Sequence, residues 1–251
     1  MSKHKDKIYT DVSKVFIRLI NKNVAKRMIE KNHYSHKSSA TTYAFGVYYR
    51  EEDNTGFFEG EVEKLIGCMT YGYPVGRLTA ESITPVIKPD QVLELTRLFI
   101  HDGYGSNIES YCIALSFKWF KEFASDIKVL ISYADPQAGH LGKIYQATNW
   151  GYQGDAMRLV DAFALRLEKD GEWIHSRTIF SMYGSNNVDH LKQQIGRTFW
   201  LKKEERKYRY IYILADKKMK KQILSTLKHP ILPYPKELEK LEEEISEVIV
   251  E

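Results

Sequence analysis

One stretch in the middle of the chain constrains the fold more than any other. Residues 91–100 (QVLELTRLFI) have strand composition, residues 108–123 have the periodicity of an amphipathic helix, and residues 129–133 (VLISY) form an apolar run typical of a buried strand. Two strands joined by a crossing helix are expected to lie parallel in one sheet. The stretch therefore predicts an α/β (α+β) protein with helices on the faces of a central sheet.

The flanking patterns predict antiparallel neighbours, so we expect the central sheet to be mixed. Hairpins are predicted at 43–73 and 161–180, a further strand at 208–214, and helices at 23–30, 189–195 and 217–227. We expect three regions: a catalytic core at 1–190, a basic C-terminal extension packed on it at 191–236, and an acidic tail at 237–251, helical or frayed.

Composition limits the setting and the partner. The two cysteines, Cys68 and Cys112, both lie in apolar runs, which favours core thiols in a reducing compartment. No apolar stretch reaches the roughly 18 residues that span a bilayer, so we expect a cytoplasmic protein without membrane contact. The net charge is only +4, but residues 192–228 carry +9 and residues 32–191 carry −6. This sorting favours a polyanionic partner over a neutral one.

The most specific local pattern follows the buried strand at 129–133. The loop at 134–142 begins Ala134-Asp135-Pro136 and ends Gly139-His140-Leu141-Gly142. It places a carboxylate and an imidazole where α/β sheets commonly bind ligands. Pro136 biases Asp135 towards an extended backbone, which directs its side chain. The alternative interpretation is that Asp135 caps the helix starting near Gly142. We favour a functional loop.

Histidines provide a second candidate. His33 stands in the loop after the first predicted helix, and its ordinary pKa near neutrality suits a general base or a metal ligand. Together with Asp135 and His140, it would complete a two-histidine, one-carboxylate set for a divalent metal, typically iron. The spacing of the three residues does not demand a metal.

The turn between the central strand and the helix could bind an anion. Unpaired N–H groups at a helix start attract phosphates, and two glycines allow close approach. The same letters also fit a tight turn in which Ser106 or Asn107 caps the helix. The cofactor candidates here are Gly103, Tyr104, Gly105, Ser106 and Asn107.

The basic tract at 192–228 has the composition of a nucleic-acid surface, because cations are interleaved with aromatic residues. If Lys207, Tyr208, Arg209 and Tyr210 alternate along a strand, one face is cationic and the other aromatic. The alternative is a solvated helix face beside a core strand. The nucleic-acid candidates are Lys202, Lys203, Arg206, Lys207, Arg209, Lys217, Lys218, Lys220 and Lys221.

With these residues in view, the chain resembles the Mom family of phage DNA-modification proteins. The matching pieces are distributed over about 30–236, and the most specific are the Asp135 loop with Ile144-Tyr145-Gln146-Ala147 and two C-terminal segments. In chain order the pieces are Asn32-His33-Tyr34-Ser35, 67–71, Glu94-Leu95-Thr96-Arg97-Leu98, 110–117, 132–150, Lys207-Tyr208-Arg209-Tyr210 and Pro233-Tyr234-Pro235-Lys236.

The resemblance implies a GNAT-like acyltransferase fold and a reaction on DNA. The family converts the exocyclic amine of adenine to a carbamoylmethyl derivative, which shields phage DNA from host restriction endonucleases, and its members have been linked to iron. Double-stranded DNA is the implied partner, and the oligomeric state stays open, with a homodimer among the options. The implied catalytic residues are His33, Tyr34, Tyr71, Ser116, Asp135 and Tyr145.

Two other functions fit the same sequence. One is an ordinary GNAT-type N-acetyltransferase that uses acetyl-CoA on a small amine or a protein; the other is a non-catalytic DNA-binding, anti-restriction protein. Against acetyl-CoA, Ile100 stands where acetyltransferases carry Arg or Gln before the glycine loop, and Asp102 would repel a pyrophosphate. The acyl or glycyl donor is therefore left open.

Overall fold

The middle of the chain folds as its pattern predicts. The computed structural model describes residues 11–53, 60–75, 77–136, 138–155, 163–203, 207–238 and 245–250. Strand β4 (Val92–Ile100) leads through a turn to helix α3 (Ile108–Phe123), which returns to strand β5 (Val129–Ala134). β4 and β5 pair in parallel, whereas β3 (Gly60–Gly72) pairs with β4 antiparallel. The predicted mixed α/β sheet is confirmed.

The other elements complete two sheets and their covering helices. In chain order they are β1 (Val15–Leu19), α1 (Lys22–Asn32), β2 (Tyr43–Asp53), α2 (Arg77–Glu81), α4 (Lys143–Gln146), β6 (Gly151–Asp155), β7 (Phe163–Arg166), α5 (Ser176–Tyr183), α6 (Val188–Ile195), β8 (Phe199–Lys203), β9 (Tyr208–Ile213), α7 (Lys217–Ser225) and β10 (Ile245–Val248). Short 3-10 turns precede β1 and β4, at Val12–Lys14 and Pro89–Gln91.

The chain divides into two compact units. The first comprises Met1–Ala134, Gly142–Gly154 and Tyr208–Tyr234, and the second comprises Asp135–Leu141, Asp155–Lys207 and Pro235–Glu251. The first unit contains a seven-stranded sheet in the order β1-β2-β3-β4-β5-β9-β6, and the second contains a three-stranded sheet in the order β10-β8-β7. In the described ranges, no helix combines the length and the apolarity that crossing a bilayer requires.

Helices cover both faces of the large sheet. Successive residues of a strand point to opposite faces. In β2, Ala44 packs with Ala25 and Ile29 of α1, while the neighbouring Phe45 meets Phe120 of α3 edge to face at 5.9 Å. Apolar side chains therefore fill the space on each side of the sheet.

The parallel ladder at the centre of the sheet is short. It joins Val92–Glu94 to Val129–Ile131, although β4 continues to Ile100 and β5 to Ala134. The β3–β4 ladder also shifts register between Thr70 and Tyr71, which re-aims the side chains of β4 beyond that point. The carboxyl end of the β4–β5 ladder is therefore the place where the sheet can admit side chains from its helices.

The second unit has a small core of its own. Leu165 of β7 and Phe199 and Leu201 of β8 point to one face of its sheet, where they pack with Ile179 of α5 and Leu191 of α6. The next residues along each strand, Arg166 and Trp200, point to the other face by the same alternation.

Three expectations about the C-terminal half need correction. Residues 208–213 are an interior strand of the large sheet, so 191–236 is not an extension packed on a completed core. Residues 176–183 are a helix instead of a strand, because His175 caps its start and Gly184 ends it with a φ of 74°. Residues 245–248 of the acidic tail form β10, which pairs with β8.

Candidate functional site

Tyr145 reaches the end of the β4–β5 ladder from helix α4. That helix begins at Gly142, whose φ of 72° favours glycine and whose added Cβ would lie 2.4 Å from the Tyr210 ring. The tight start holds α4 against β9, and Tyr145 contacts the Tyr210 ring at 5.1 Å between centroids. Its hydroxyl lies 2.7 Å from Oγ of Ser132 in β5.

Ser132 connects this phenol to the backbone of β4. Its Oγ lies 2.8 Å from the Leu95 carbonyl oxygen, one residue beyond the end of the parallel ladder. The serine has a single proton, so it donates either to Leu95 or to Tyr145 at any moment. Burial raises the pKa of Tyr145 to about 12, even though the Ser132 hydrogen bond opposes that rise. Tyr145 is therefore a neutral hydroxyl at physiological pH.

Two further side chains influence Tyr145. Negative charge on Tyr34 or on the Glu94 carboxylate would repel a tyrosinate at position 145, and both act to raise its pKa. Glu94 is the last β4 residue in the parallel ladder, and Tyr34 follows helix α1 with 61% of its surface exposed. Tyr34, Glu94, Ser132 and Tyr145, which we call the ladder-end cluster, thus combine an exposed tyrosine, a carboxylate and two buried hydroxyls.

Sequence reasoning named only Tyr34 and Tyr145 from this cluster. Glu94 and Ser132 both lie within the segments that carry the resemblance, but they were assigned no role. The available signal was a carboxylate between Leu93 and Leu95 in β4 and a hydroxyl in the apolar strand β5, because polar groups next to buried apolar residues need a partner or a function.

His33 is positioned by Ser35. The histidine is largely buried, its ring lies 4.3 Å from the Tyr34 ring, and its Nδ1 is 2.8 Å from Ser35 Oγ and 3.1 Å from the Ser35 backbone nitrogen. The Ser35 backbone N–H donates to Nδ1, so Nδ1 is an unprotonated acceptor that also accepts from Ser35 Oγ, and the neutral imidazole carries its proton on Nε2. In this arrangement His33 presents Nε2–H as a donor, and base or metal chemistry at Nε2 requires the other tautomer or loss of that proton.

The loop carrying His33 and Tyr34 is tied to the sheet by Arg97. Its Nε donates to the Lys37 carbonyl at 2.9 Å, and its Nη1 donates to the carbonyl of Thr96. On the helix side, Ser38 Oγ donates to a carboxylate oxygen of Glu30 at 3.0 Å. The resemblance segment around Glu94 thus contains both a cluster residue and the anchor of the loop.

Tyr71 and Ser116, also predicted as catalytic, form a second tyrosine–serine pair. Their hydroxyls lie 2.7 Å apart, both residues are fully buried, and Ser116 Oγ donates to the Ile113 carbonyl at 2.7 Å. When Ser116 donates to Ile113, Tyr71 donates to Ser116; the Tyr71 hydroxyl also lies 3.5 Å from Met69 Sδ. Burial raises the pKa of Tyr71. Edge-to-face contacts with Phe45 and Phe120 surround its ring, so this pair supports α3 against the sheet.

Asp135 and His140 belong to the second unit, whereas the other predicted catalytic residues belong to the first. The Asp135 carbonyl accepts the His140 N–H at 3.0 Å, and its carboxylate pairs with Lys207 Nζ at 3.4 Å. Asp135 does not cap helix α4, because Gly142 is the N-cap residue. His140 is exposed. The carboxylate is 23% exposed and remains a candidate for substrate contact.

The predicted iron site combines residues of both units. His33 belongs to the first unit, whereas Asp135 and His140 belong to the second. Across the residues with described positions, no group of three or more His, Cys, Asp or Glu side chains could hold a metal ion. The iron requirement stays a prediction.

The predicted donor turn has an unusual backbone. Gly103 and Gly105 have φ values of 100° and 91°, and Asn107 adopts the left-handed region at 72° as the N-cap of α3 without a side-chain capping bond. Tyr104 packs instead against Tyr49 of β2. A cavity of about 420 Å³ starts at Asn107 and is also lined by Ser110, Phe117 and Tyr212, whereas Ser106 is not among its lining residues. None of these observations tests whether an acyl or glycyl donor binds at this turn.

The predicted cationic face of β9 is wrong. β9 lies between β5 and β6, five of its six residues are buried, and Arg209 is only 6% exposed. Its Nη1 donates to Ser82 Oγ at 2.9 Å, and burial lowers its pKa. Arg209 is a structural residue of the first unit, not a nucleic-acid contact.

The other predicted DNA-contacting cations differ in setting. Lys217, Lys218, Lys220 and Lys221 are all exposed on α7, while Lys202 and Lys203 lie on β8 of the second unit. Lys207 pairs with Asp135, and Arg206 lies outside the described residues.

The described side chains define a mixed α/β protein with phenol, hydroxyl and carboxylate groups gathered at the end of a parallel strand pair. The chain belongs to the Mom protein family, whose model matches residues 14–236. It is 27% identical over 214 residues to a protein of Escherichia phage Mu named methylcarbamoylase mom, covering 85% of this chain and 80% of that relative.

Solved structures with overall similarity are more distant. A domain from Methanocaldococcus jannaschii is 14% identical with a TM-score of 0.38, covering 64% of this chain and 96% of the domain. A probable acetyltransferase from Staphylococcus epidermidis has the same identity and TM-score, and the match covers 80% of this chain and 99% of the acetyltransferase. An N-acetyltransferase from Staphylococcus aureus is 12% identical with a TM-score of 0.37 and the same coverage.

Proposed function

We propose that this protein is a transferase that converts the N6 amine of adenine in double-stranded DNA to a carbamoylmethyl derivative. The modification would protect phage DNA from restriction endonucleases in the host cytoplasm. Membership of the Mom family and the name of the phage Mu relative, methylcarbamoylase, support the reaction. The observation that carries the proposal is the ladder-end cluster, which provides the groups that such a reaction needs.

The first need is an acceptor for a proton. The adenine amine is a weak nucleophile, because its lone pair is delocalised into the ring. When N6 forms a new C–N bond, the bond between the transferred carbon and its donor breaks, the donor fragment leaves with that electron pair, and N6 must release one proton. Glu94 is the carboxylate that acts electrostatically on Tyr145, so we assign it as hydrogen-bond acceptor or base for the amine.

The hydroxyls have a different role. Tyr145 stays protonated at neutral pH, because its pKa is raised to about 12. It therefore serves as a hydrogen-bonding group that orients the base or the group being transferred, with Ser132 fixing its position.

The second need is access to the base. The N6 amine of a stacked, paired adenine is hard to reach, so enzymes of this kind extrude the nucleotide from the duplex. The Tyr34 ring is the exposed aromatic member of the cluster and rests on His33. We assign it as the surface on which an extruded adenine stacks.

The third need is an attraction for phosphate. Helix α7 carries Lys217, Lys218, Lys220 and Lys221 in its first five positions. Cations at a helix N-terminus oppose the helix dipole, at a cost of about 0.3–1 kcal/mol each when exposed. The phosphates of a bound polyanion would neutralise these lysine charges and reverse this cost, which supports α7 as a DNA contact.

The test is nucleoside analysis of DNA from bacteria that express the protein. DNA is digested to nucleosides and examined by mass spectrometry for a new adenine species. We expect the wild type to produce it and Glu94→Gln to lower it by about 10²- to 10⁴-fold, the range for loss of a general base. Glu122→Gln is the matched control, because Glu122 is an exposed carboxylate near the end of α3.

Asp135→Ala is the second diagnostic variant. If Asp135 contacts the adenine, the variant remains folded and still binds DNA but leaves adenine unmodified; a new nucleoside at wild-type level would remove Asp135 from the site. Absence of any new nucleoside with the wild type would overturn the proposed function. DNA binding alone would then favour a non-catalytic anti-restriction protein, and micromolar calorimetric binding of acetyl-CoA would favour an N-acetyltransferase.

The donor and the iron requirement are resolved by reconstitution. Purified protein is incubated with DNA and with acetyl-CoA or another acyl or glycyl donor, with iron added or removed by a chelator. Retention of activity under chelation would reject the iron prediction.

A further inference from the structure

The outer face of the small sheet in the second unit carries an arginine between two tryptophans. Arg166 of β7 lies opposite Trp200 of β8 in the antiparallel register. The Arg166 guanidinium carbon is 4.6 Å from the Trp173 ring centre and 5.7 Å from the Trp200 ring centre. Both distances are within the range of cation–π attraction. We call Trp173, Arg166 and Trp200 the Trp–Arg–Trp stack.

The core of the second unit does not include this stack. The buried cluster lies on the opposite face, formed by Leu165, Phe199 and Leu201 with the two helices. A half-buried antiparallel sheet normally presents polar residues on its second face. Here that face presents two large indoles, both partly exposed, which the packing of the described core does not require.

The stack is held by ring faces. Arg166 Nε is buried and has no hydrogen-bond partner, so this edge of the guanidinium is satisfied by neither a carboxylate nor a carbonyl. Arg166 therefore spaces and aligns the two indoles while keeping a positive charge between them. That arrangement suits planar rings linked by phosphates.

The positively charged residues on the same face favour an anionic ligand, and one carboxylate opposes it. Lys202 lies two residues from Trp200, on the same side of β8, opposite the small Ala164. On the third strand, Glu247 lies opposite Trp200 and is exposed. Among the described residues that these registers place on the face, two cations and two indoles thus accompany one carboxylate at the edge formed by β10.

We propose that the Trp–Arg–Trp stack binds single-stranded DNA, with a base stacking on an indole and phosphates meeting Arg166 and Lys202. Aromatic side chains beside cations bind unpaired bases without regard to sequence. Paired bases are covered by their neighbours in the duplex and cannot stack in this way. The inference rests on the proposed function, because it assigns the surface to strand segments opened around the target adenine.

The experiment measures oligonucleotide affinity of the full chain by fluorescence anisotropy. The probes are a labelled single-stranded 12-mer and the same sequence as a duplex. We expect Trp200→Leu and Trp173→Leu to weaken single-strand binding by about 5- to 150-fold, the equivalent of one lost base stack. Duplex binding should change less than threefold. Trp119→Phe is the control, because Trp119 lies in α3 of the first unit and contacts Phe45 there.

A purely structural stack predicts a different result. The leucine variants would then lower the unfolding temperature, while protein that remains folded would bind the single strand with wild-type affinity; this outcome overturns the proposal. Trp200→Phe keeps an aromatic face, so it should restore most of the affinity if stacking is responsible. This variant keeps the test decisive if the leucine variants fail to fold.

Failure of the proposed function gives a separate signature. The wild type would produce no modified nucleoside in cells, yet the affinity differences between tryptophan variants would remain. If the nucleoside is produced and the variants bind normally, the reaction assignment stands and the surface assignment fails.

Discussion

Two tyrosine–serine pairs lie in the first unit with nearly the same local geometry. In each pair the two hydroxyl oxygens are 2.7 Å apart, and in each the serine also lies within 2.8 Å of a backbone carbonyl. Tyr71 and Ser116 join β3 to α3, whereas Tyr145 and Ser132 join α4 to β5. The hydrogen bonds alone do not distinguish a support from a reactive site.

Their surroundings differ. The Tyr71 ring is enclosed by aromatic side chains of the sheet and α3, and the residue has no exposed surface. Tyr145 lies where the β4–β5 ladder ends, and charge on Glu94 and Tyr34 acts on its hydroxyl. The two pairs therefore share their hydrogen-bond geometry but differ in the charged and exposed groups beside them, and that difference is what separates a supporting pair from a candidate reactive pair.

The largest predicted difference is in activity. Tyr145→Phe should lower the yield of modified adenine by at least about 100-fold, because the hydroxyl that orients the reacting groups is lost. Tyr71→Phe should lower it by no more than about threefold at equal amounts of folded protein. Mass spectrometry of DNA nucleosides, normalised to soluble protein, measures both. Equal losses would break the distinction between the pairs.

The same contrast explains what the sequence could predict. Periodicity over sixteen residues placed α3 at its observed bounds, and dense apolar composition placed β4, β5 and β9. These signals are local and strong. Residues 176–183 contain β-branched and aromatic residues but form a helix, because a histidine cap and a left-handed glycine outweighed propensity.

The site was predicted only in part, for a related reason. The resemblance supplied Tyr34 and Tyr145, but roles for Glu94 and Ser132 depend on where a parallel ladder ends, which is a tertiary property. The prediction for Arg209 failed for a similar reason: alternation along β9 identified its face, but only the tertiary contact with Ser82 shows that this face is covered. Local pattern cannot reveal which neighbours close over a strand.

The second prediction concerns stability. Ser116→Ala removes the acceptor of the Tyr71 hydroxyl in a fully buried setting, so it should lower the free energy of unfolding by about 1–3 kcal/mol. Ser132→Ala should cost less, about 1 kcal/mol, because the end of the ladder leaves Tyr145 nearer to other polar groups. Urea denaturation of the two variants gives the comparison.

A double variant isolates the buried pair. Combining Tyr71→Phe with Ser116→Ala removes both partners, so the double variant should be more stable than the sum of the two single losses implies. Simple additivity would mean that the hydroxyls are not coupled, and the buried pair could then no longer be described as one supporting unit.

The smallest predicted effect is at alkaline pH. The folded-state pKa of each tyrosine is raised above the ordinary value near 10, so each contributes stability that is fully present below pH 10. For Tyr145 this contribution is lost as the pH rises from about 10 towards 12, and the loss for Tyr71 continues beyond that. At pH 11, one such group has lost about 1.4 kcal/mol of its contribution to the free energy of unfolding.

Replacing either tyrosine by phenylalanine should therefore flatten the decline in unfolding free energy between pH 10 and 11 by about 1 kcal/mol. Denaturation curves at pH 9, 10 and 11 measure these slopes. A Tyr145→Phe variant that declines as steeply as the wild type would show that the ladder-end phenol titrates near its ordinary pKa and is exposed to water, which would remove the neutral hydroxyl from the proposed site.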